Sequence, residues 1–500
     1  MTEDQERFNK TKRAAERGEV WGQINLGLAY YYGRGVAEDF SAAAHWFGLA
    51  ALQEDADAQF YLAFMYASGQ GVARHHQEAV KWFRHAAEQG HAEAQFHLAY
   101  LYLHGLGAAK DELDAIKWFR RSAEQGFVES QYQLAQLSRD RNESLRWLQE
   151  AARRGHPEAS YRLGDLFLNG NSGVVKNAAE ALVWFQQAAT AGHAQAQLQL
   201  GLLHATGCGT PRSGTQAARW LTSAAEQGNT EAAYHLGVMY LTGDGVAEEA
   251  VLALRWLQKA TQAGHAQAQY ELGRLYAEGH KVPKDEREAF KWYRFAAEQS
   301  LAPAQYEMGL CLLEGRGVSA DPVAALRALH QAALQGIASA QYHMGRLYHQ
   351  GLGVVQDFGE ARTWYRKAAS ADHRDAQHAL GLLFARGEGC AVDATQAVIW
   401  LHKAATAGHS DAQYELAMLL LGHVASASDE KDAVRWLRSA ADHDHAAAQY
   451  RLGLMHLTGR GVVHSTEECQ RWMERSAAQG ELRAQEFLLL VRKEAWFGSS

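Results

Sequence analysis

Histidines are the first residues in this sequence that could do chemistry, because an imidazole can bind zinc or transfer a proton near neutral pH. The chain has 25 of them among 500 residues, and the densest groups are His443-Asp444-His445 and His75-His76. A zinc site on a helix needs two histidines at i and i+4 with a third ligand, and neither group has that pattern. The motifs HEXXH, CXXC and GXSXG do not occur. We therefore expect no catalytic residue and no metal ligand, with a metal-dependent enzyme as an alternative.

Glycine-rich loops are the second candidate for chemistry, because their backbone amides can cradle a phosphate. The pattern GxG occurs nine times, for example in GRGV at 33–36, GDGV at 243–246 and GLGV at 351–354. A phosphate-binding loop needs a preceding strand and either a P-loop lysine or the longer GxGxxG pattern. These loops instead recur at regular intervals between helical segments, so we expect tight turns and no bound cofactor.

The regular interval comes from a repeat that fills the chain. The motif A-Q-x-x-L-G recurs every 36 residues, with intervals of 29 and 37 on either side of Ser160, which takes the place of its Gln. A tryptophan follows 23 residues after the Gln in most units, as Trp118 follows Gln95, while Ala328 replaces it once. The sequence therefore predicts thirteen units and a closing half-unit.

Each unit has the pattern of two helices. The segment Gln95–Gly105 has Leu98, Leu101 and Tyr102 at helical spacing, and the segment Asp111–Gly126 has Ala115, Trp118 and Phe119 on one stripe. The residue seven before the Trp fits an N-cap, and its occupants are Asp39, Asp111, Asp140, Asn177, Ser213, Asp285, Asp321, Asp357, Asp393, Asp429 and Ser465, with His75 and Glu249 as exceptions. A glycine such as Gly126 ends most second helices. Seven histidines at one repeat position are expected to cap or join the next helix: His91, His156, His193, His265, His373, His409 and His445.

The full motif, A-x-A-Q-x-x-L-G-x-x-Y-x-x-G-x-G-V…D-x-x-x-A-x-x-W-F-x-x-A-A-x-x-G, resembles the Sel-1-like repeat family, a relative of the tetratricopeptide repeat. The resemblance covers nearly the whole chain. It implies an all-α fold, a right-handed α/α superhelical solenoid of about 13 helix-pair repeats plus a C-terminal capping helix, and a role as a scaffold that assembles other proteins. Stacked helix pairs can share a continuous core that a single pair cannot form alone.

One array, without separate domains, is expected over residues 1–500. An N-terminal capping helix is expected at 1–18, repeats at 19–480 and a C-terminal cap at 481–500. The fourth unit, at 127–155, has lost its GxG loop and the end of its first helix, and the twelfth, LGHVASASDEKD, keeps its length but loses GxGV. Both are expected to soften the stack or change its local curvature.

Composition and charge narrow the partners and the compartment. The 49 basic and 57 acidic residues give a net charge of −8, which offers no strong field for nucleic acid. No apolar run approaches the roughly 20 residues that span a bilayer, and the charged N-terminus lacks the apolar core of a signal peptide. Four scattered cysteines do not form a disulfide framework. We expect a cytoplasmic protein, with a monomer favoured, no membrane insertion and no nucleic acid.

The candidate binding surface is the concave side lined by first helices, which we call the first-helix wall. It is formed by the residues one, five and eight positions after each repeat Gln, here called slots one, five and eight. Slot one is aromatic in most units and could equally be a packing position, whereas slot five varies from Phe to Arg, as expected where specificity is encoded. The candidate partner-binding residues are Tyr31, Phe60, Phe64, Phe96, Tyr100, Leu103, Arg274, Arg346 and His349.

The predicted function is a non-enzymatic scaffold or adaptor that binds a protein segment along this wall. Aromatic side chains are concentrated in the first three units, and such residues dominate binding hot spots. A dedicated inhibitor, such as an immunity protein that wraps one bacterial toxin, is the alternative within the same class. An adaptor would bind several clients, whereas an inhibitor would bind a single target tightly.

Overall fold

The structure is a computed structural model that describes residues 3–171, 173–422 and 426–497. All regular elements in these ranges are α-helices. Their bounds are α1 Glu3–Glu16, α2 Val20–Tyr32, α3 Phe40–Ala51, α4 Ala56–Ser68, α5 His76–Glu88, α6 Ala92–His104, α7 Glu112–Glu124, α8 Val128–Leu137, α9 Arg141–Arg153, α10 Pro157–Asn169, α11 Ala178–Thr190, α12 Ala194–Thr206, α13 Gly214–Glu226, α14 Thr230–Thr242, α15 Ala250–Gln262, α16 Ala266–Glu278, α17 Glu286–Glu298, α18 Ala302–Glu314, α19 Pro322–Leu334, α20 Ala338–Gln350, α21 Phe358–Ser370, α22 Arg374–Arg386, α23 Ala394–Thr406, α24 Ser410–Gly422, α25 Ala427–Asp442, α26 Ala446–Thr458, α27 Thr466–Ala478 and α28 Leu482–Phe497.

These helices confirm the predicted all-α solenoid of helix pairs. Thirteen pairs, from α2–α3 to α26–α27, lie between α1 and α28. The chain divides into two compact units, Met1–Ala253 and Leu254–Ser500. Within the first unit each helix from α1 to α14 packs against its chain neighbours, as does each helix from α16 to α28 within the second. That residues 1–500 form one array stays a prediction.

The second helix of each pair forms the core through a stripe of alanines and one large apolar side chain. In α7 the buried residues are Ala115, Trp118, Phe119, Ser122 and Ala123, as the helical spacing predicts. Small alanines let neighbouring helices approach closely, and Phe119 fills the space between them. The core is therefore built from the apolar positions of the repeat motif.

The predicted caps are present, with two corrections. His75, an exception to the N-cap pattern, does cap α5, because its Nδ1 accepts a hydrogen bond from the Glu78 amide at 3.2 Å. The Asp111 carboxylate accepts a hydrogen bond from the Asp114 amide at 3.0 Å, and Gly126 ends the pair at φ 88°. The prediction that Asp429 is an N-cap is wrong. Helix α25 begins after Ser426, and Asp429 completes a capping box as the third residue of the helix. The cause is local, because Ser426 supplies a hydroxyl three residues earlier in the chain.

Each repeated histidine caps the helix that follows it, and His193 shows how such a ring also contacts the preceding repeat. Nδ1 of His193 accepts a hydrogen bond from the Ala196 amide at 3.1 Å, which caps α12. The same ring stacks on Tyr161 with centroids 4.7 Å apart, and Nε2 lies 2.9 Å from a carboxylate oxygen of Glu158, both in the preceding repeat. Capping by Nδ1 recurs at all seven positions: His91, His156, His193, His265, His373, His409 and His445. The expected capping role is confirmed.

The Gln of the repeat motif is buried and links three helices. Nε2 of Gln95 donates to the Ala87 carbonyl of the preceding helix at 3.0 Å. Its Oε1 accepts a hydrogen bond from Nε2 of Gln125, at the end of its own pair, at 2.8 Å. Equivalent Gln–Gln bonds occur in both units: Gln53–Gln23, Gln89–Gln59, Gln227–Gln197, Gln299–Gln269, Gln335–Gln305 and Gln479–Gln449. A buried amide is tolerated here because both of its ends are hydrogen-bonded.

The fourth repeat replaces its missing loop with polar contacts. Helix α8 has 10 residues instead of the usual 13 and leads into α9 through a short bend. Arg120 reaches across to Glu143 at 2.7 Å, and the Ser138 hydroxyl donates to the same carboxylate at 2.8 Å. The lost loop of the twelfth repeat falls on residues 423–425, and the end of the predicted C-terminal cap on residues 498–500; both lie outside the described residues.

Candidate protein-binding surface

The first helices position the predicted wall residues. Slots one, five and eight are spaced i, i+4 and i+7, so they share one face of each first helix. The opposite face, with Leu98, Ala99 and Leu101 in α6, is buried against the second helices. The predicted wall is the face of each first helix that carries slots one, five and eight.

Phe60 does not lie on an accessible surface, which corrects its placement. It is 7% exposed and belongs to the core of the first unit. Its ring stacks on His91 with centroids 4.7 Å apart and lies 5.9 Å from Phe83. The capping histidine of the next repeat covers Phe60. Phe60 therefore has the packing role that was the alternative for slot one.

Phe64 and Tyr100 occupy slot five of successive repeats, and His97 of the second repeat lies beside Phe64. Phe64 is half-buried, with its ring 5.9 Å from that of His97. His97 and Tyr100 are three residues apart on α6, and Tyr100 is 42% exposed. Burial lowers the pKa of His97 to about 4, so the imidazole is neutral at pH 7. Residues three apart on a helix are neighbours, so these three side chains form an uncharged aromatic strip.

The other three candidates of the first unit are half-buried. Phe96 packs against Phe119 and Phe127, at centroid distances of 5.7 and 5.2 Å. Leu103 packs on the neighbouring core. The Tyr31 hydroxyl donates to Oε1 of Gln70, in the next repeat, at 3.0 Å. These residues pack on neighbouring side chains and expose only part of their surface.

Tyr32 is an accessible aromatic residue that sequence reasoning passed over in favour of Tyr31. It is 47% exposed, and the Arg34 guanidinium lies over its ring at 5.0 Å from the centroid. The edge of its ring meets Tyr31 at a centroid distance of 5.0 Å. Its position one residue after slot eight, at the solvent side of the helix end, was the signal that could have identified it.

In the second unit the three candidates carry charge or titratable groups. Arg274 is exposed and paired within its own helix to Glu271 at 2.9 Å. Arg346 is half-buried, with its guanidinium over the ring of Tyr342 at 5.9 Å. His349 is half-buried, meets Phe358 edge-on and has Nε2 3.7 Å from a carboxylate oxygen of Glu388. The wall of this unit is thus more polar than the aromatic strip of the first unit.

A cleft opens beside the shortened fourth repeat. It has a volume of about 350 Å³ and lies among α8, α9 and α10, with Leu148, Tyr161 and Leu166 on its apolar side. Arg162 and Asp165 line it as well, and Arg162 is already paired to Glu158 at 2.8 Å. The missing last turn of α8 leaves this space open.

The repeats are assigned by comparison with a known family. The Sel1 repeat model matches thirteen consecutive segments of the sequence, from residues 22–55 to residues 446–481. The chain belongs to the Sel1-repeat family. This confirms the resemblance, and Sel1-repeat proteins generally mediate protein–protein interaction. Comparison with the curated proteins finds no match.

Solved structures of Sel1-repeat proteins are similar to this chain. The crystal structure of c5321, a protective antigen present in uropathogenic Escherichia coli strains and displaying an SLR fold, is 28% identical, covers 96% of this chain and 97% of that chain, and has a TM-score of 0.75. A Sel1 repeat protein from Oxalobacter formigenes is 33% identical over 64% of this chain and 93% of that chain, with a TM-score of 0.51. The immunity protein PA5088 from Pseudomonas aeruginosa is 24% identical over 41% of this chain and 80% of that chain. Its TM-score of 0.29 supports no argument about function.

Metal ligation and membrane crossing are two further properties that the described parts of this Sel1-repeat chain bear on. Across residues 3–171, 173–422 and 426–497, no group of three or more His, Cys, Asp or Glu side chains is placed to hold a metal ion. Within the same ranges, none of the helices combines the length and apolar character needed to cross a membrane.

Proposed function

We propose that this Sel1-repeat protein is a non-enzymatic scaffold or adaptor that binds a segment of a partner protein along the first-helix wall. We place it in the cytoplasm as a monomer that binds neither nucleic acid nor the membrane interior. The observation that carries the proposal is the aromatic strip of Phe64, His97 and Tyr100. Aromatic side chains that are anchored on one edge and exposed on the other are favoured at binding hot spots, because they bury a large area at low cost in entropy.

The contacts around the strip support binding rather than packing alone. Phe64 and Tyr100 are each held by a neighbouring ring, since Phe64 meets His97 and Tyr100 meets His104 with centroids 4.3 Å apart. A partner would therefore meet preordered side chains and would lose little free energy in fixing them. The neutral His97 between them adds no charge that the partner would have to neutralise.

The proposal is tested by capture of proteins from the native host. The full chain and the Phe64→Ala/Tyr100→Ala variant are used as parallel baits, and the retained proteins are identified by mass spectrometry. A partner retained by the wild-type chain and lost by the variant supports the proposal. Equal recovery of every protein by both baits contradicts it. Several clients would favour an adaptor, whereas one target of nanomolar affinity would favour the dedicated inhibitor.

A further inference from the structure

A second cleft lies on the first-helix wall of the second unit. It has a volume of about 320 Å³ and lies between α24 and α26. Met418 and Leu421, at slots five and eight of α24, line it together with Leu454, at slot five of α26. All three are half-buried, so the cleft presents apolar surface to solvent.

Gly422, which has no side chain, lies at the edge of the cleft. Gly422 lies nine residues after the repeat Gln, at the last position of α24, and a Cβ added there would have no atom within 4 Å. The residues at this position in other repeats all carry a side chain: Tyr32, Ser68, His104, Asn169, Thr206, Thr242, Glu278, Glu314, Gln350, Arg386 and Thr458. The vacant position therefore sets this cleft apart from the rest of the wall.

Arg451 gives the cleft a positive charge that the chain does not neutralise. It lines the cleft and is half-buried, and among the described residues no carboxylate lies within ion-pair distance of it. The second arginine of the cleft, Arg460, is paired to Glu430 at 2.7 Å. Arg162, at the same repeat position as Arg451, is paired to Glu158 at 2.8 Å. Arg451 is thus available to a carboxylate from outside the chain.

The apolar walls and the charge of Arg451 together specify the chemistry of the group that would fit the cleft. Apolar walls favour a side chain of leucine size, and a half-buried guanidinium favours a carboxylate, with which it can form two parallel hydrogen bonds. Partial exclusion of water strengthens such a pair relative to one on an open surface. A basic or uncharged segment would leave Arg451 without a partner.

We propose that this cleft binds a partner segment in which a leucine-sized apolar side chain lies beside a glutamate or aspartate. The apolar side chain fills the space above Met418, Leu421 and Leu454, and the carboxylate pairs with Arg451. The inference rests on the proposed partner-binding function of the first-helix wall and names the chemistry of one stretch of the partner.

Two variants separate the contribution of the Arg451 charge from that of the apolar space in the cleft. Arg451→Met keeps an unbranched side chain and removes the charge. Gly422→Gln places a side chain across the opening of the cleft, and it should fold because the added atoms meet open space and glutamine favours helix more than glycine does. Arg435→Met is the matched control, because Arg435 is exposed on α25, a second helix. Thermal melting of each variant confirms folding.

The test uses random peptides displayed on phage by fusion at their C-termini, so that no peptide has a free terminal carboxylate. Peptides that the full chain retains are synthesised as fluorescent C-terminal amides, and their affinities are measured by anisotropy. We expect the enriched peptides to contain an acidic residue within two positions of a leucine, isoleucine, methionine or phenylalanine. Arg451→Met and Gly422→Gln should each weaken binding tenfold or more, as should replacing the acidic residue by its amide, whereas Arg435→Met should not.

Three results would overturn the inference. These are enrichment of no peptide, enrichment of peptides without acidic residues, and affinities that neither cleft variant changes. Peptides whose affinity depends on Phe64 and Tyr100 but not on the cleft would refute this inference and leave the proposed function intact. Failure of the proposed function is separate, because it is read from the capture of host proteins.

Discussion

Gly107 lies directly against the backbone of His76, the first residue of α5 in the preceding repeat. A Cβ added to Gly107 would be 2.3 Å from the His76 carbonyl carbon, closer than any real contact allows. The second glycine of the GxG loop is therefore where one repeat meets the next, as well as a residue with positive φ (75°). The loop that could have suggested phosphate binding is an element of repeat packing.

The contact between Gly107 and His76 predicts that two glycine substitutions lower the stability of the protein by different amounts. Gly107→Ala should destabilise the protein more than Gly90→Ala, since Gly90 also has a positive φ of 95° but a Cβ there meets nothing within 4 Å. Both variants lose about 1 kcal/mol from the left-handed backbone, and Gly107→Ala should lose about 1–3 kcal/mol more from the clash. Chemical denaturation of both variants measures the difference. Equal destabilisation would show that the close approach of Gly107 to His76 does not contribute to the free energy of unfolding.

The buried amide ladder gives a second prediction. Gln95→Leu should lower the free energy of unfolding by about 1–3 kcal/mol, because the Gln125 amide loses its acceptor at 2.8 Å and the Ala87 carbonyl loses its side-chain donor. Gln77→Leu, at an exposed position of α5, should change it by less than about 0.5 kcal/mol. Urea denaturation followed by tryptophan fluorescence measures both. A stable Gln95→Leu variant would mean that water replaces the lost bonds.

The shortened fourth repeat should open before its neighbours. Its first helix is shorter by three residues, and exposed or half-exposed polar contacts such as Arg120–Glu143 replace the missing loop. In a repeat protein, a weak interface between neighbours is where local unfolding begins. Hydrogen exchange should therefore be faster over residues 131–170 than over 265–300. Uniform protection of the two ranges would refute this expectation.

Stability should fall as the pH is lowered. Burial lowers the pKa of His97 from 6.5 to about 4, and it does the same for His343 and His378. The unfolded chain therefore binds these protons more readily, so the contribution of each neutral histidine is complete above about pH 6.5 and is lost as the pH falls toward 4. The free energy of unfolding should be lower at pH 5 than at pH 7.5.

His97→Leu isolates one of these contributions. Its loss of stability between pH 7.5 and pH 5 should be smaller than that of the wild-type protein by about 2 kcal/mol, since one pKa unit corresponds to about 1.4 kcal/mol. His45→Leu, at an exposed position of α3, is the control and should leave the pH dependence unchanged. Identical pH dependence of the wild-type protein and His97→Leu would argue against a buried neutral imidazole.

Much of the fold could be predicted because its determinants are local. Asp111 and Gly126 mark where α7 begins and ends through their own side-chain and backbone chemistry, so the sequence was sufficient. The role of Gln95 was not accessible in the same way, because its hydrogen-bond donor Gln125 lies 30 residues further along the chain. Repetition reveals that a Gln is required but does not reveal what it contacts.

The wall was harder to predict, because exposure depends on the neighbouring repeat. Phe60 and Phe64 lie on one face of α4, yet the stacked His91 covers the first and leaves the second half-exposed. Tyr31 and Tyr32 are adjacent in sequence, but only Tyr31 turns toward Gln70 of the next repeat. Helical spacing identifies a face, whereas the packing of the following helix decides which residues on it remain accessible.

Titration calorimetry with the captured partner measures whether the aromatic strip of the first-helix wall binds a partner protein. Phe64→Ala/Tyr100→Ala should weaken binding about a hundredfold or more, since each aromatic anchor contributes about 2 kcal/mol. Val183→Ala, exposed on the second helix α11, should bind as the wild-type protein does. The double variant should melt well above Trp118→Ala, which removes a core side chain. Wild-type affinity of the double variant would show that the partner binds elsewhere, and melting as early as that of Trp118→Ala would show that these aromatic side chains belong to the core.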